Sequence, residues 1–217
     1  MKTRLLLLIL SLQFLSFAQG TAGIYKVKWF IDKRLTNEVI INANGGGNFG
    51  LDRLTIPPAL YDSVVAEIQK IVQQDLRSDA QYIYPLSRSG RELRTNNTAE
   101  QVGGLPRGTK RKAMRTEYKE YYVKFKIHVG LNKTFGIGGE VASYSRLKPF
   151  VRVKMKAYGL DRRVKYRKTT RLGDFKSIGS FEYNLGGVTV TNTNGLPIEE
   201  VLDMVFKGLD KFENKVK

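Results

Sequence analysis

Residues 150–168 constrain the fold more than any other stretch, because apolar and basic residues alternate there on both sides of a short turn. Apolar side chains occupy every second position from Val151 to Ala157, and arginine or lysine fills the positions between them. The alternation resumes after a turn at residues 159–162. A period of two residues is typical of a β-strand with one buried face. The stretch therefore predicts a β-hairpin with an apolar inner face and a basic outer face.

The register of this hairpin follows from the requirement that all apolar residues share one face. A two-residue loop would place Ala157 opposite Val164 and Lys156 opposite Lys165. Basic residues would then oppose each other across the outer face.

Other segments complete a predicted α+β fold. Strand patterns occur at residues 24–31, 38–43, 121–131, 181–185 and 188–191, and helical apolar stripes occur at residues 59–76 and 197–212. Runs of strands broken by only two helices predict a two-layer sandwich, a mainly antiparallel sheet with two amphipathic helices packed on one face.

The N-terminus predicts export. A basic start, an apolar run at residues 5–18 and a small residue at Ala18 match a secretory signal peptide, residues 1–18, cleaved after Ala18. The alternative is a retained anchor, but the run is shorter than the roughly 20 residues that span a bilayer. We expect residues 19–217 to form a single domain that is periplasmic or secreted. The absence of cysteine excludes disulfides, thiolate chemistry and a lipid anchor on an N-terminal cysteine.

Strong positive charge is the main functional indication. Residues 19–217 carry 35 basic and 20 acidic residues, a net charge of +15, which favours anionic partners. The outer strand positions that we predict to share one basic face are Lys26, Lys28, Lys124, Lys126, Arg152, Lys154, Lys156, Arg163, Lys165 and Arg167. A long basic loop at residues 86–116, either mobile or functional, adds Arg107, Lys110, Arg111 and Lys112 as candidate anion- or partner-binding residues.

Two interpretations of the basic face are open. Solvated lysines on outer strand faces are common and also discourage edge aggregation. Opposed like charges, however, destabilise a sheet by about 0.2–1 kcal/mol per pair. A face that accepts several such pairs is easier to understand if an anionic partner neutralises it.

The sequence favours a non-enzymatic binding module of the cell envelope. Its partner would be a phosphorylated glycolipid, an anionic lipid, an acidic polysaccharide or an acidic protein, with peripheral membrane contact but no transmembrane segment. The alternative is a hydrolytic enzyme without a recognisable catalytic motif: His128 is the only histidine, and no GxSxG elbow accompanies it. Nucleic-acid binding has weaker support because the signal peptide directs the chain away from the cytoplasm. We predict no catalytic residue, metal or cofactor.

Overall fold

The computed structural model describes residues 20–43, 48–49 and 52–215. The predicted signal peptide, residues 1–18, lies outside these ranges. Nine strands are described: β1 Gly20–Ile31, β2 Val39–Ala43, β3 Asn48–Phe49, β4 Ser78–Tyr82, β5 Tyr121–Gly138, β6 Ala142–Tyr158, β7 Val164–Leu172, β8 Ile178–Leu185 and β9 Val188–Thr193. Four helices accompany them within the same ranges: α1 Lys33–Thr36, α2 Pro58–Leu76, α3 Lys110–Thr116 and α4 Ile198–Glu213.

All nine described strands belong to one sheet: eight follow the order β3-β2-β9-β8-β6-β5-β1-β4, and the ninth, β7, pairs with β6. Strand β1 is parallel to both β4 and β5, whereas the other pairs are antiparallel. The 17-residue β6 carries two partners on one edge, β8 along residues 142–147 and β7 along residues 151–158.

The main core lies on one face of this sheet. Inward residues of β1, β5 and β6 pack there against the apolar stripes of α2 and α4. Both helices confirm the helical patterns at residues 59–76 and 197–212. Helix α2 starts after Pro57 and ends at Leu76, and the capping residue Arg77 adopts a left-handed conformation with φ of 49°. Helix α4 places Glu199 and Glu200 in its first turn, where the helix dipole favours negative charge.

The predicted two-layer sandwich is wrong. Of the described residues, 45% are in strands and 24% in helices, and the sheet curls into a half-barrel. Helix α3 also packs on the face opposite the main core, where Ala113 contacts Tyr122 in a separate buried cluster. Irregularities in β1, β5 and the β6–β7 pair interrupt the regular period. Such bulges bend strands and increase twist, which a two-residue sequence period does not reveal.

The predicted hairpin register is also wrong, by two residues. Ala157 pairs with Tyr166, and Lys156 pairs with Arg167. The turn spans residues 159–163, one more than predicted, and Arg162 in it adopts a left-handed conformation, with φ of 62°. The register shifts beside Ala157, so Lys165 falls in a bulge instead of opposite Lys156.

Residues 86–116 are not a loop throughout. The Val27 amide donates to the Pro106 carbonyl at 3.0 Å, and the Val102 amide donates to the Trp29 carbonyl at 3.0 Å. Val102 and Leu105 are buried in the main core. This segment therefore borders β1 beyond the end of β4 before it forms α3.

The close approach of α4 to β6 supports a stability prediction at Gly208. A Cβ at this position would come within 2.5 Å of Val151 Cγ1. We expect Gly208→Ala to reduce the free energy of unfolding by about 1–3 kcal/mol, because the helix must move away from the sheet. Urea denaturation measures this, with Gly139→Ala as the control because no heavy atom lies within 4 Å of its added Cβ. An unchanged midpoint for Gly208→Ala would contradict the close packing.

Candidate functional site

The face of the sheet opposite the main core, here called the open face, carries cations in register across four adjacent strands. One row runs from Lys26 through Lys124 and Lys156 to Arg167. A second row contains Lys28, Lys126 and Lys154. The cations of the third row are the paired residues Arg152 and Arg171. We call these nine residues the basic array.

The basic array is small compared with the range of its own electrostatic field. Three gaps of about 4.8 Å between strands and two same-face steps of about 7 Å give an area of roughly 14 Å by 14 Å. The Debye length at physiological salt is about 8 Å. Each cation therefore experiences its neighbours with little screening, and an anion above the centre would interact with most of them at once.

The cations of the basic array have no carboxylate partner among the described residues. Within the described part of the chain, none of the ion pairs closer than 4.0 Å involves any of its nine residues. Burial lowers the pKa of Lys126, and the charges of Lys28, Lys154, Arg152 and Lys124 lower it further. Lys126 is thus the centre of the array.

The pKa of Lys26, at the edge of the array, is lowered in the same way. Burial is the largest cause, followed by the charges of Lys124, Lys28 and Arg107. Folding therefore disfavours the charged form of both lysines.

A row of aromatic rings borders one end of the array. His128 lies between Phe30 and Phe150, with ring centroids 6.0 Å and 5.3 Å away in edge-to-face geometry. The ring of Phe150 covers Gly130, where an added Cβ would come within 2.6 Å of the Phe150 Cζ atom. The guanidinium of Arg171 lies 4.3 Å from the centroid of the Phe150 ring, a cation–π contact. This row holds His128 at the edge of the array.

The positive charges of the array affect the pKa of His128. Burial lowers its pKa from the usual 6.5, and the charges of Lys126, Arg152 and Lys154 lower it further, while Asp32 raises it. The neutral imidazole is therefore favoured in the free protein.

Tyrosines and α3 border the opposite end. Tyr25 and Tyr122 pack with Ala113 of α3, and Tyr158 packs against them. Burial, with a smaller effect from Tyr158, raises the pKa of Tyr25 to about 12. The Lys110 ammonium lies 4.2 Å from the centroid of the Tyr158 ring, so α3 places one further cation beside the array.

The structure brings most of the predicted face residues together, but not all of them. Arg163 lies in the β6–β7 turn, and Lys165 pairs with Asp161 at 2.9 Å. Neither belongs to the array, because the bulge beside Ala157 interrupts the alternation on which the prediction depended.

Two of the four candidate residues of segment 86–116 lie close to the array, and two do not. Arg107 is close enough to Lys26 to lower its pKa, and Lys110 stands at the tyrosine end. Arg111 and Lys112 lie on α3 outside the array.

Sequence analysis missed two cations of β7. Arg171 joins the array opposite Arg152, and its position after two threonines shows no clear alternation. Lys168 faces the main core, where it forms a buried ion pair with Asp75. Only the register with β6 distinguishes these two roles.

The described residues include no group of three or more His, Cys, Asp or Glu side chains placed to hold a metal ion. Nor does any described helix have the length and hydropathy needed to cross a bilayer.

Comparisons with known proteins give only a weak similarity. No family model matches the sequence, and no curated protein matches it. A solved structure from Helicobacter pylori, described as a neuraminyllactose-binding hemagglutinin homolog, is similar over 90% of this chain and 79% of that chain, with a TM-score of 0.36 and 6% identity. A similarity at this level carries no argument about fold or function.

Proposed function

We propose that this protein is a non-enzymatic binding module of the cell envelope that holds an anionic component on its basic array. The observation that supports the proposal is the unneutralised array itself. Its antiparallel strands directly oppose like charges in four pairs, among them Lys124 with Lys156 and Lys126 with Lys154.

The energetic cost of this arrangement favours a function over a merely solvated surface. At about 0.2–1 kcal/mol per opposed pair, four pairs cost roughly 1–4 kcal/mol, compared with a total stability of about 5–15 kcal/mol for a typical domain. One acidic residue in each pair would remove the cost. An anionic ligand would remove it as well, and would then be bound more tightly for that reason.

Export is part of this proposal. The signal peptide predicted at residues 1–18 would deliver the protein to a compartment where phosphorylated glycolipids, anionic lipids and acidic polysaccharides are available. The array recognises a density of negative charge, which all of these partners share.

His128 provides the test, because it is the only histidine in the chain and borders the array. In the free protein, NMR titration should give a pKa below 6.5. Dextran sulfate, a soluble polyanion, should raise that pKa, because negative charge above the array offsets the lysines and stabilises the imidazolium. Salt at 1 M should reverse the effect by screening.

The titration has two outcomes that contradict the proposal. Dextran sulfate that fails to bind at low salt would contradict an anion-binding function. Binding that leaves the His128 pKa unchanged would place the binding surface elsewhere on the protein. Neutral dextran of the same length is the control polymer and should change nothing.

A further inference from the structure

The open face carries a second surface, which is apolar, at the other end of β6. The strand register places Ile137 beside Tyr144 and Tyr144 beside Phe181. The rings of Tyr144 and Phe181 lie 4.7 Å apart. We call this surface the apolar patch; its members are Phe135, Ile137, Tyr144, Phe181, Tyr183 and Leu185.

The apolar patch and the basic array share one face of the same strand. Even-numbered residues of β6, from Tyr144 through Lys148 to Lys154, alternate with buried core residues and so point to the open face. Arg146 and Lys148 lie between the two surfaces and continue the positive charge.

A bulge in β5 brings two large apolar side chains to this face. Up to Val129 the odd-numbered residues of β5 face the core. The register shifts between Lys133 and Phe135, so that Phe135 pairs with Arg146 and Ile137 pairs with Tyr144. Without this shift, both apolar side chains would lie on the opposite side of the hairpin.

The apolar patch is large for a surface exposed to water. Apart from Tyr144, its members are 44% to 66% exposed. At roughly 100 Å² of exposed area each, they present about 500 Å², near the upper end of the largest patch on ordinary monomers. A patch of this size indicates an interaction surface.

We propose that the open face docks on an anionic lipid membrane, with the apolar patch entering the boundary between headgroups and acyl chains and the basic array lying on the headgroups. This inference rests on the anion-binding function proposed above. Interfacial binding combines buried apolar area with attraction to anionic lipid, and tyrosine is enriched at membrane interfaces.

The two surfaces together select this partner over others. A soluble polyanion would neutralise the array but leave the patch in water. A second copy of the chain could cover the patch but would bring no negative charge to the array. An anionic bilayer would both neutralise the basic array and cover the apolar patch. The strands that carry the patch, β5, β6 and β8, contain one acidic residue, Glu182, whose side chain points to the opposite face of β8 from Phe181 and Tyr183. Glu140 lies in the β5–β6 hairpin tip.

Vesicle co-sedimentation tests the proposal with a chain that begins at residue 19, because residues 20–215 contain every described element. We expect binding to vesicles of phosphatidylcholine and phosphatidylglycerol (3:1) and little binding to phosphatidylcholine alone. The double variant Phe135→Ser/Ile137→Ser should reduce partitioning into anionic vesicles about thirtyfold, because two apolar side chains no longer enter the interface. Its affinity for dextran sulfate should not change.

Leu160→Ser is the matched control. Leu160 is also an exposed apolar residue at a hairpin turn, but it lies outside the apolar patch. Its loss should change vesicle partitioning less than twofold. Thermal melts should show that both variants remain folded, since the replaced side chains are exposed.

Four outcomes would overturn this inference. Binding to dextran sulfate without binding to anionic vesicles would reject the membrane and leave the proposed function intact. Binding to neither would reject both. Vesicle binding that the double variant leaves unchanged would exclude the patch from the membrane. A concentration-dependent dimer that the double variant abolishes would show that a second copy covers the patch.

Discussion

Replacing Lys168 with alanine should reduce the free energy of unfolding by about 3–5 kcal/mol, because it leaves a buried carboxylate without its counter-charge. Lys168 Nζ lies 3.0 Å and 3.2 Å from the two carboxylate oxygens of Asp75, and it donates to the Glu213 carbonyl at 3.2 Å. The side chains of Lys168 and Asp75 are only 7% and 13% exposed. The ammonium also lies 4.9 Å from the Phe212 ring. One residue thus connects β7, α2 and α4.

Thermal denaturation measures this effect. For a chain of this size, 3–5 kcal/mol corresponds to a fall in Tm of roughly 6–20 °C. Lys207→Ala is the matched control, because Lys207 also forms an ion pair, with Asp203, but both side chains are more than half exposed. An exposed pair contributes about 0–1 kcal/mol. A similar fall in Tm for the two variants would contradict the larger contribution expected from the buried ion pair of Lys168.

A paired replacement separates loss of charge balance from loss of packing. Lys168→Met combined with Asp75→Leu removes both charges and keeps apolar volume, so it should recover much of the stability that Lys168→Ala loses. A double variant that is less stable than Lys168→Ala would show that the polar contacts themselves, and not the balance of charge, hold these elements together.

The double variant Lys126→Glu/Lys156→Glu should reduce affinity for dextran sulfate about 1,000-fold and at the same time stabilise the fold. Each cation facing an anionic surface contributes on the order of 1 kcal/mol, and this variant changes the charge of the array by four units, which corresponds to three decades in Kd. Each new glutamate faces two cations, Lys28 and Lys154 in one case and Lys124 and Arg167 in the other. Relief of repulsion should increase the free energy of unfolding by about 1–2 kcal/mol.

The control has the same change in net charge at a different place. Arg163→Glu/Lys165→Glu alters two cations that the sequence pattern assigned to the face and that the structure places in a turn and a bulge. We expect an affinity loss below about tenfold, because screening weakens charges away from the array. Equal losses in the two variants would mean that overall charge, and not the array, governs binding. A destabilised array variant would contradict the predicted repulsion.

Much of the basic array could be predicted from the sequence. The two-residue period of β1, β5 and β6 determines that Lys28, Lys126 and Lys154 point away from the core, whatever the strand order. Their proximity depends on the order β6-β5-β1, which places them in one row. Strand order follows from long-range pairing, for which a single strand pattern contains no information.

Two differences between the predicted and the observed open face arise at irregular backbone. One additional residue in a strand exchanges the two faces for everything beyond it. The bulge beside Ala157 therefore removes Lys165 from the array, and the bulge after Lys133 moves Phe135 and Ile137 onto the open face. The alternation of apolar and basic residues in the sequence does not change at a bulge, so the sequence alone does not locate the bulge.

The sequence by itself determined the four strands that carry the basic array, both long helices and the excess of positive charge, because each depends on local periodicity or composition. Only the tertiary structure decided the curled sheet, the position of α3 on the open face, the burial of Lys168 and the union of the basic array with an apolar patch. These features depend on pairing register and bulges, whose energies come from contacts between residues far apart in the chain.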